Sequence, residues 1–304
     1  MKVLIVARCK AKGYAPFITE QVEALEKLGV QCRYFGINQN GLSGYFRHFR
    51  GLEKAIKDFR PDVIHAHYGL SGLLANFQRK VPVVTTYHGT DINDKRLLAL
   101  SRWAIRLSAF NVFVSPGNVM LARPPKDRFA IVPCGIDLDD YPPTDRNQAR
   151  SSLDWQADRH FILFSGSFDN RIKNAPLAKA AVRMLDQATL VELKGYSRSQ
   201  VATLMSAADA IVMTSLTEGS PQVIKEAMAC GCPVVSVDVG DVKDLTRGVD
   251  GCYIAERTPE SVASCLRQAI EFGKRTEGRK VIEVRGLTNE TVAKKLLDIY
   301  NTVI

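Results

Sequence analysis

The sequence predicts an α/β protein made of two doubly wound, parallel-sheet domains. Three observations point there. Short apolar runs typical of buried strands recur along both halves, and stretches with helical spacing lie between them. The chain is 304 residues long, more than one ordinary core holds and suited to two domains of about 150 residues. Between residues 133 and 160 the alternation gives way to a polar, mixed stretch with Pro142-Pro143, which reads as a linker.

In the first half, residues 2–7 form a strand. Residues 15–27 carry Ile18, Val22 and Leu25 on one helical face. Strands follow at 31–35, at 62–65 after a helical stretch, at 82–87 and at 111–115. Pro133-Cys134-Gly135-Ile136-Asp137 is a turn at the start of the linker, so the first domain is placed at 1–150. The second, 151–287, begins with a strand at 161–165 and a helix at about 175–186. A strand at 190–193 precedes Ser197-Arg198-Ser199-Gln200, a capping-box pattern for a helix to residue 207. Strands at 209–214, 233–237 and 251–254 alternate with helices from Pro221 and from Thr258-Pro259. A last helix, 288–303, spaces Val292, Leu296, Ile299 and Val303 on one face.

At 46% hydrophobic and 24% charged, the composition is that of a soluble globular protein. No apolar run approaches the roughly 18 residues that span a bilayer, and residues 1–7 are too short for a signal-peptide core. Seven scattered cysteines, mostly in apolar segments, suit a reduced compartment, so a cytoplasmic location is expected. Cys230-Gly231-Cys232 lacks a second pair to complete a zinc site. Residues 1–150 hold 22 Lys+Arg against 13 Asp+Glu, so the whole net charge of +9 lies there. Such asymmetry suits an anionic partner: membrane lipid, acidic acceptor or nucleic acid. Tyr45-Phe46-Arg47-His48-Phe49-Arg50, continuing to Lys54, Lys57 and Arg60, mixes aromatics with cations. It reads as a membrane-surface segment, a nucleic-acid contact or a solvated helix with a core stripe.

The chemistry concentrates at Thr214-Ser215-Leu216-Thr217-Glu218-Gly219-Ser220-Pro221 and on to Glu226-Ala227-Met228-Ala229-Cys230-Gly231. Ser220 fits an N-cap and Pro221 the first helical position. The turn Glu218-Gly219-Ser220 then presents backbone N–H groups at a helix N-terminus, an anion site between two carboxylates, Glu218 and Glu226. That suits a nucleotide sugar, with one carboxylate on the sugar and the other on the ribose. The plain alternative is a capped loop with a solvated Glu226. The strand-loop-helix-strand context favours the phosphate site.

Here the chain resembles retaining glycosyltransferases of the GT-B fold, family 4. Glu218, seven residues, Glu226, then Ala-Met-Ala-Cys-Gly and an apolar strand match that group's C-terminal signature. The resemblance covers most of the chain and is sharpest from 166 to 237. It implies two Rossmann-like domains facing an interdomain cleft, with the terminal helix crossing back onto the first domain. It also implies transfer of a sugar from a nucleoside diphosphate, UDP- or GDP-linked, to a hydroxyl of a glycan or lipid-linked acceptor, with retention. Cell-envelope polysaccharide assembly is the pathway it suggests. No cofactor and no divalent metal are expected, nor a nucleic-acid partner. A peripheral position on the inner face of the cell membrane fits the basic half.

The remaining candidates follow from both readings. Ser165-Gly166-Ser167-Phe168-Asp169-Asn170-Arg171-Ile172-Lys173-Asn174 is a glycine-containing loop with two cations before a helix. Arg171 and Lys173 are candidates to grip a diphosphate. The family's arginine follows the glycine directly, where Ser167 stands here, so Arg171 is either its substitute or a solvated side chain. Lys173-Asn174 fits the family pattern. Tyr196, after Lys194-Gly195, sits where the family meets the nucleotide base; the alternative is a plain strand-to-helix turn that needs Gly195. His88, in Tyr87-His88-Gly89-Thr90-Asp91 at a strand's C-terminal end, resembles a segment facing the donor sugar, with a core histidine as the alternative. Asp91 is either part of that segment or a helix cap. Gly13 stands alone where the family often has two glycines near the diphosphate. His65-Ala66-His67 has metal-like spacing without a third ligand, so two satisfied strand-end histidines are expected. Asp137-Leu138-Asp139 reads as a solvated turn. Two rivals share the fold: a non-catalytic or decayed partner subunit, and a sugar-nucleotide epimerase.

Overall fold

The computed structural model describes residues 1–11, 13–39 and 41–304, without the side chain at position 42. The chain forms two compact units, Met1–Gly135 with Asn289–Ile304, and Ile136–Thr288.

The first unit holds six parallel strands: β1 (Lys2–Arg8), β2 (Gln31–Ile37), β3 (Val63–His67), β4 (Val83–Tyr87), β5 (Phe110–Phe113) and β6 (Phe129–Ile131). Their order is β2-β1-β3-β4-β5-β6. β3 and β4 are buried at every position, which is why they read as continuous apolar runs rather than alternating ones. The helix Pro16–Lys27 covers one face, and the terminal helix Asn289–Val303 packs on it. Ile18, Val22 and Leu25 share one core with Val292, Leu296 and Ile299. Burying each such side chain contributes roughly 1.5–3 kcal/mol.

The second unit holds β7 (His160–Phe164), β8 (Ala188–Glu192), β9 (Ala210–Met213), β10 (Val234–Val237) and β11 (Cys252–Ala255), all parallel, in the order β11-β10-β9-β7-β8. The capping box at Ser197 and Gln200 forms, opening the helix Arg198–Ala207.

The division falls at 135/136 and 288/289, not at 150/151 and 287/288. Residues 136–150 join the second unit because their anchors lie there. Ile136 and Tyr141 are in its core. In the helix Arg146–Ser152, Arg150 Nη2 lies 2.6 Å from Asp209 Oδ2, and Arg146 pairs with the same carboxylate. Asp209 also takes the Phe161 N–H at 2.8 Å. The polarity of this stretch, which reads as a linker in sequence, is therefore partly a buried charge network.

Candidate active site

In an open parallel sheet, ligands bind at the C-terminal ends of strands where the strand order reverses. In the second unit that point lies between β7 and β9. The loops leaving these two strands carry Lys173 and Glu218, 45 residues apart in sequence. Lys173 Nζ donates to Glu218 Oε1 at 2.7 Å, both side chains being partly buried, at 20% and 16% exposure. The Lys173 loop is fixed from several sides. Thr214 Oγ1 donates to the carbonyls of Lys173 and Asn174, each at 3.0 Å. Leu216 N–H donates to Ile172 O at 2.8 Å. Phe168 N–H donates to Glu192 Oε1, and Lys194 pairs with Asp169, tying the loop to the strand end beside it. Gly166 is needed for closeness: a Cβ there would lie 3.2 Å from Lys173 Cγ.

The Glu218 turn has its own support. Arg257 Nη1 donates to Ser215 O at 2.7 Å. Gly240, with φ +60, lies against the turn so closely that a Cβ would sit 2.6 Å from Gly219 O and 3.2 Å from Glu218 Cβ. The helix starts one residue later than the sequence suggests. Pro221 is the N-cap, in extended conformation, and Gln222–Ala229 is the helix. Ser220 is therefore not the cap: its side chain makes no capping hydrogen bond to this helix. The reason is local, since proline disfavours helical geometry in the residue before it. Glu226 is half-buried in the second turn of this helix. Beside it Lys225 is fully buried, donating to Gln222 Oε1 at 2.8 Å. Burial raises the Asp241 carboxyl to about 6, with the Lys225 charge pulling the other way. Arg171 is exposed and has no ion pair or hydrogen-bonded side chain among the described residues. Tyr196 is 44% exposed, following Gly195.

In the first unit the reversal lies between β1 and β3. After β1, Lys10 and Gly13 exchange backbone hydrogen bonds at 3.0 and 2.8 Å, closing a tight turn. Beside it Arg8, Cys9, Lys10, Ala11 and Asn38 line a cavity of about 440 Å³. His88 leaves β4 half-buried, with its ring centroid 4.7 Å from Phe17 and 4.6 Å from Tyr68. Asp91 is buried and organises this turn, accepting the N–H groups of Gly69 (2.9 Å), His88 (3.0 Å) and Gly89 (3.1 Å). Burial raises its carboxyl to about 6 against those bonds. It is not the cap of the helix Thr90–Asn93, a place Gly89 takes. His65 and His67 face protein partners: Thr86 and Tyr300 for His65, His88 for His67.

The supports at Gly240, Asp241, Lys225 and Arg257 are missed by motif reading, while His67, expected as a strand-end histidine, lies against His88. A lysine between Ile224 and Ala227 on a helix with a buried face is the one signal that stood in the sequence.

The mixed segment 45–60 folds as parts of two helices, Gly41–Arg47 and Phe49–Phe59, with Tyr45, Leu52 and Phe59 buried. Its core stripe accounts for most of its apolar residues. A different face of this unit is both apolar and basic. Trp103 (58% exposed) on the helix Lys95–Leu107, and Met120 (73%) and Leu121 (48%) on Pro116–Ala122, stand among exposed Lys95, Arg96, Arg102, Arg106 and Arg123. Arg102 Nη2 donates to Leu121 O at 3.4 Å, and the Arg106 guanidinium lies 5.7 Å from the Trp103 ring centre. Among the described residues no helix is long and apolar enough to cross a membrane.

Comparison with known proteins places this architecture. Residues 11–140 match Glycosyltransferase Family 4, and residues 156–271 match Glycosyl transferases group 1. The chain is 27% identical to the D-inositol 3-phosphate glycosyltransferase of Actinosynnema mirum, over 88% of this chain and 79% of that protein. It is 25% identical to TuaC of Bacillus subtilis, named for teichuronic acid biosynthesis, over 69% of this chain and 61% of that one. Among solved structures, Anabaena HepE in complex with UDP superposes with a TM-score of 0.78 at 18% identity, covering 99% of this chain and 100% of that one. Two matched family regions, two parallel-sheet units and these relatives agree: the chain belongs to the family 4-like glycosyltransferases of the GT-B fold.

Proposed function

We propose that this glycosyltransferase takes a sugar from a UDP- or GDP-linked donor and passes it, with retention and without a divalent metal, to a hydroxyl of a glycan or lipid-linked acceptor. The observation that carries the reading is the Lys173–Glu218 pair at the strand-order reversal of the second unit. The part-buried ammonium and carboxylate balance each other's charge. A nucleotide sugar separates their tasks: Lys173 turns to the diphosphate and Glu218 accepts from the sugar hydroxyls. The first turn of Gln222–Ala229 adds backbone N–H groups and the positive end of the helix dipole to the diphosphate site. Glu226 is assigned to the ribose hydroxyls and His88 to the reacting sugar. Gly166, Gly219, Ser220 and Pro221 let the backbone approach the donor. Gly13, Arg171 and Tyr196 are assigned outer contacts with the diphosphate and base. As the glycosidic C–O bond breaks, negative charge grows on the diphosphate, where Lys173 stabilises it. The leaving phosphate oxygen takes the acceptor's proton while the acceptor oxygen bonds the anomeric carbon on the same face.

HepE has been solved with UDP and with UDP-glucose, which supports a UDP-linked donor here. The name of TuaC supports a role in cell-envelope polysaccharide assembly. For the acceptor side, the basic face around Trp103, Met120 and Leu121 supports contact with an anionic membrane surface, where lipid-linked acceptors reside.

Calorimetric titration with UDP, GDP, ADP and CMP in EDTA tests the donor. One diphosphate should bind, and Glu218→Gln should retain that binding while abolishing transfer from the matching sugar nucleotide. Binding of none by the folded protein rejects the reading in favour of a non-catalytic partner subunit. Conversion of the sugar nucleotide without an acceptor points to an epimerase instead.

A further inference from the structure

Behind His88 the first unit buries two more histidines in line. Tyr300 Oη lies 2.6 Å from His65 Nδ1, and His65 Nε2 lies 2.7 Å from Thr86 Oγ1. The His65 ring is 4.4 Å from that of His67, and His67 Nδ1 is 3.0 Å from His88 Nε2. On its other side, His88 Nδ1 lies 3.6 Å from Cys134 Sγ. We infer that His67 is a positioning residue for His88, fixing both the direction of its ring and the nitrogen that carries its proton. The inference uses the assignment of His88 to the reacting sugar only for its catalytic consequence; the protonation pattern stands apart from it.

The argument turns on one atom. His67 is fully buried, and its Nε2 has no hydrogen-bond partner among the described residues. A buried N–H without an acceptor costs about 1–3 kcal/mol, and orphaned acceptors are tolerated better than orphaned donors. The His67 proton therefore sits on Nδ1 and is donated to His88 Nε2. His88, accepting there, keeps its own proton on Nδ1, facing Cys134. Burial holds His67 neutral, with His65 and His88 adding to the effect, and burial lowers His65 to about 3. To charge His88, its Nε2 must become a donor. His67 must then move its proton to Nε2, where nothing accepts it. The ring also lies against Phe17 and Tyr68, with Cys134 at Nδ1. Asp91, which takes the His88 backbone N–H, favours a positive charge nearby. His67 opposes it. A neutral ring adds no repulsion to a sugar carbon that gains oxocarbenium character as the leaving group departs.

Long-range ¹H–¹⁵N correlation spectra of the uniformly ¹⁵N-labelled full chain read the protonated nitrogen of each histidine directly, His88 being assigned by loss of its signals in His88→Asn. The wild type should show His88 protonated on Nδ1. His67→Asn places an amide near the former Nδ1 and should keep that pattern with near-wild-type kcat. His67→Leu should mix the two His88 tautomers and lower kcat on the order of 10²-fold, leaving the donor KM within about threefold. Wild-type His88 protonated on Nε2, or an unchanged pattern in His67→Leu, overturns the inference whatever the activity. If the spectra behave as expected but His88→Ala transfers at full rate, positioning stands and the assignment of His88 to the sugar fails.

Discussion

At the scale of single residues, the proposed donor site depends on how close backbone segments approach, and Gly240 is the sharpest case. It has φ +60, and a Cβ there would press within 2.6 Å of Gly219 O and 3.2 Å of Glu218 Cβ. Gly240→Ala therefore has two costs, left-handed geometry of about 1–2 kcal/mol and a displaced Glu218 turn. Gly248 separates them. It has φ +74 but open space around its Cβ position, so Gly248→Ala carries the backbone cost alone. Both variants should melt a few degrees lower, as expected for about 1 kcal/mol in a unit of this size. Only Gly240→Ala should also weaken transfer, by on the order of 10²-fold in kcat/KM, because a shift of about 1 Å misplaces the carboxylate proposed to hold the donor sugar. Equal activity in the two variants would remove the argument that Gly240 sets the position of Glu218.

At the scale of elements, the topology explains why Lys173 and Glu218 meet and also what a sequence can and cannot reveal. β3, β4, β9 and β10 are wholly buried, so their apolar runs are readable without partners. The Glu218 turn follows β9, and the Lys173 loop follows β7, buried at all but its first position, so both are legible from the apolar run before them. β6 is not. It has three residues at the sheet edge, none of them buried, too short for a periodicity. The N-cap lies one residue beyond the expected Ser220 because Ser-Pro satisfies two start patterns, and the tertiary contact with Gly240 is invisible in either. His67 could be read as a strand-end histidine, but its partner His88 is set by the pairing of β3 with β4. The stretch 133–160 reads as a linker because charged residues there look solvated, whereas Arg150 is nearly buried on Asp209. Asp209 holds β7, β9 and the helix Arg146–Ser152 together through Phe161 N–H, Arg150 and Arg146. Asp209→Ala leaves the Arg150 charge buried without its carboxylate and should cost about 3–5 kcal/mol, read as a lower denaturant midpoint with an unchanged m-value. A change below about 1 kcal/mol, the range of exposed pairs, would mean the network is solvated.

At the scale of the molecule, the structural division sharpens the charge asymmetry. The first unit carries 22 Lys+Arg against 11 Asp+Glu, a net +11, and the second 19 against 21, a net −2. A field of one sign steers an anionic partner toward one unit, and the apolar side chains of Trp103, Met120 and Leu121 give that partner something to bury. An anionic bilayer offers both, with about 1 kcal/mol for each basic residue near its surface plus the transfer of apolar area. Trp103 reports on this directly. The other tryptophan, Trp155, stacks on Phe161 at 4.0 Å in the second unit, so Trp155→Phe leaves Trp103 as the single fluorophore. Its emission should shift to the blue on vesicles of phosphatidylcholine with about 30% phosphatidylglycerol, a surface whose charge attracts basic residues, and stay unchanged on phosphatidylcholine alone. Replacing Arg102 and Arg106 by Ala should lower vesicle affinity by about tenfold or more, and replacing Met120 and Leu121 by Ser should do so even at low salt, where charge is least screened. Raising salt should release the wild type. Equal binding to neutral vesicles, or a shift that appears with protein concentration in the absence of lipid, would assign this face to a neutral surface or to a second copy of the chain instead.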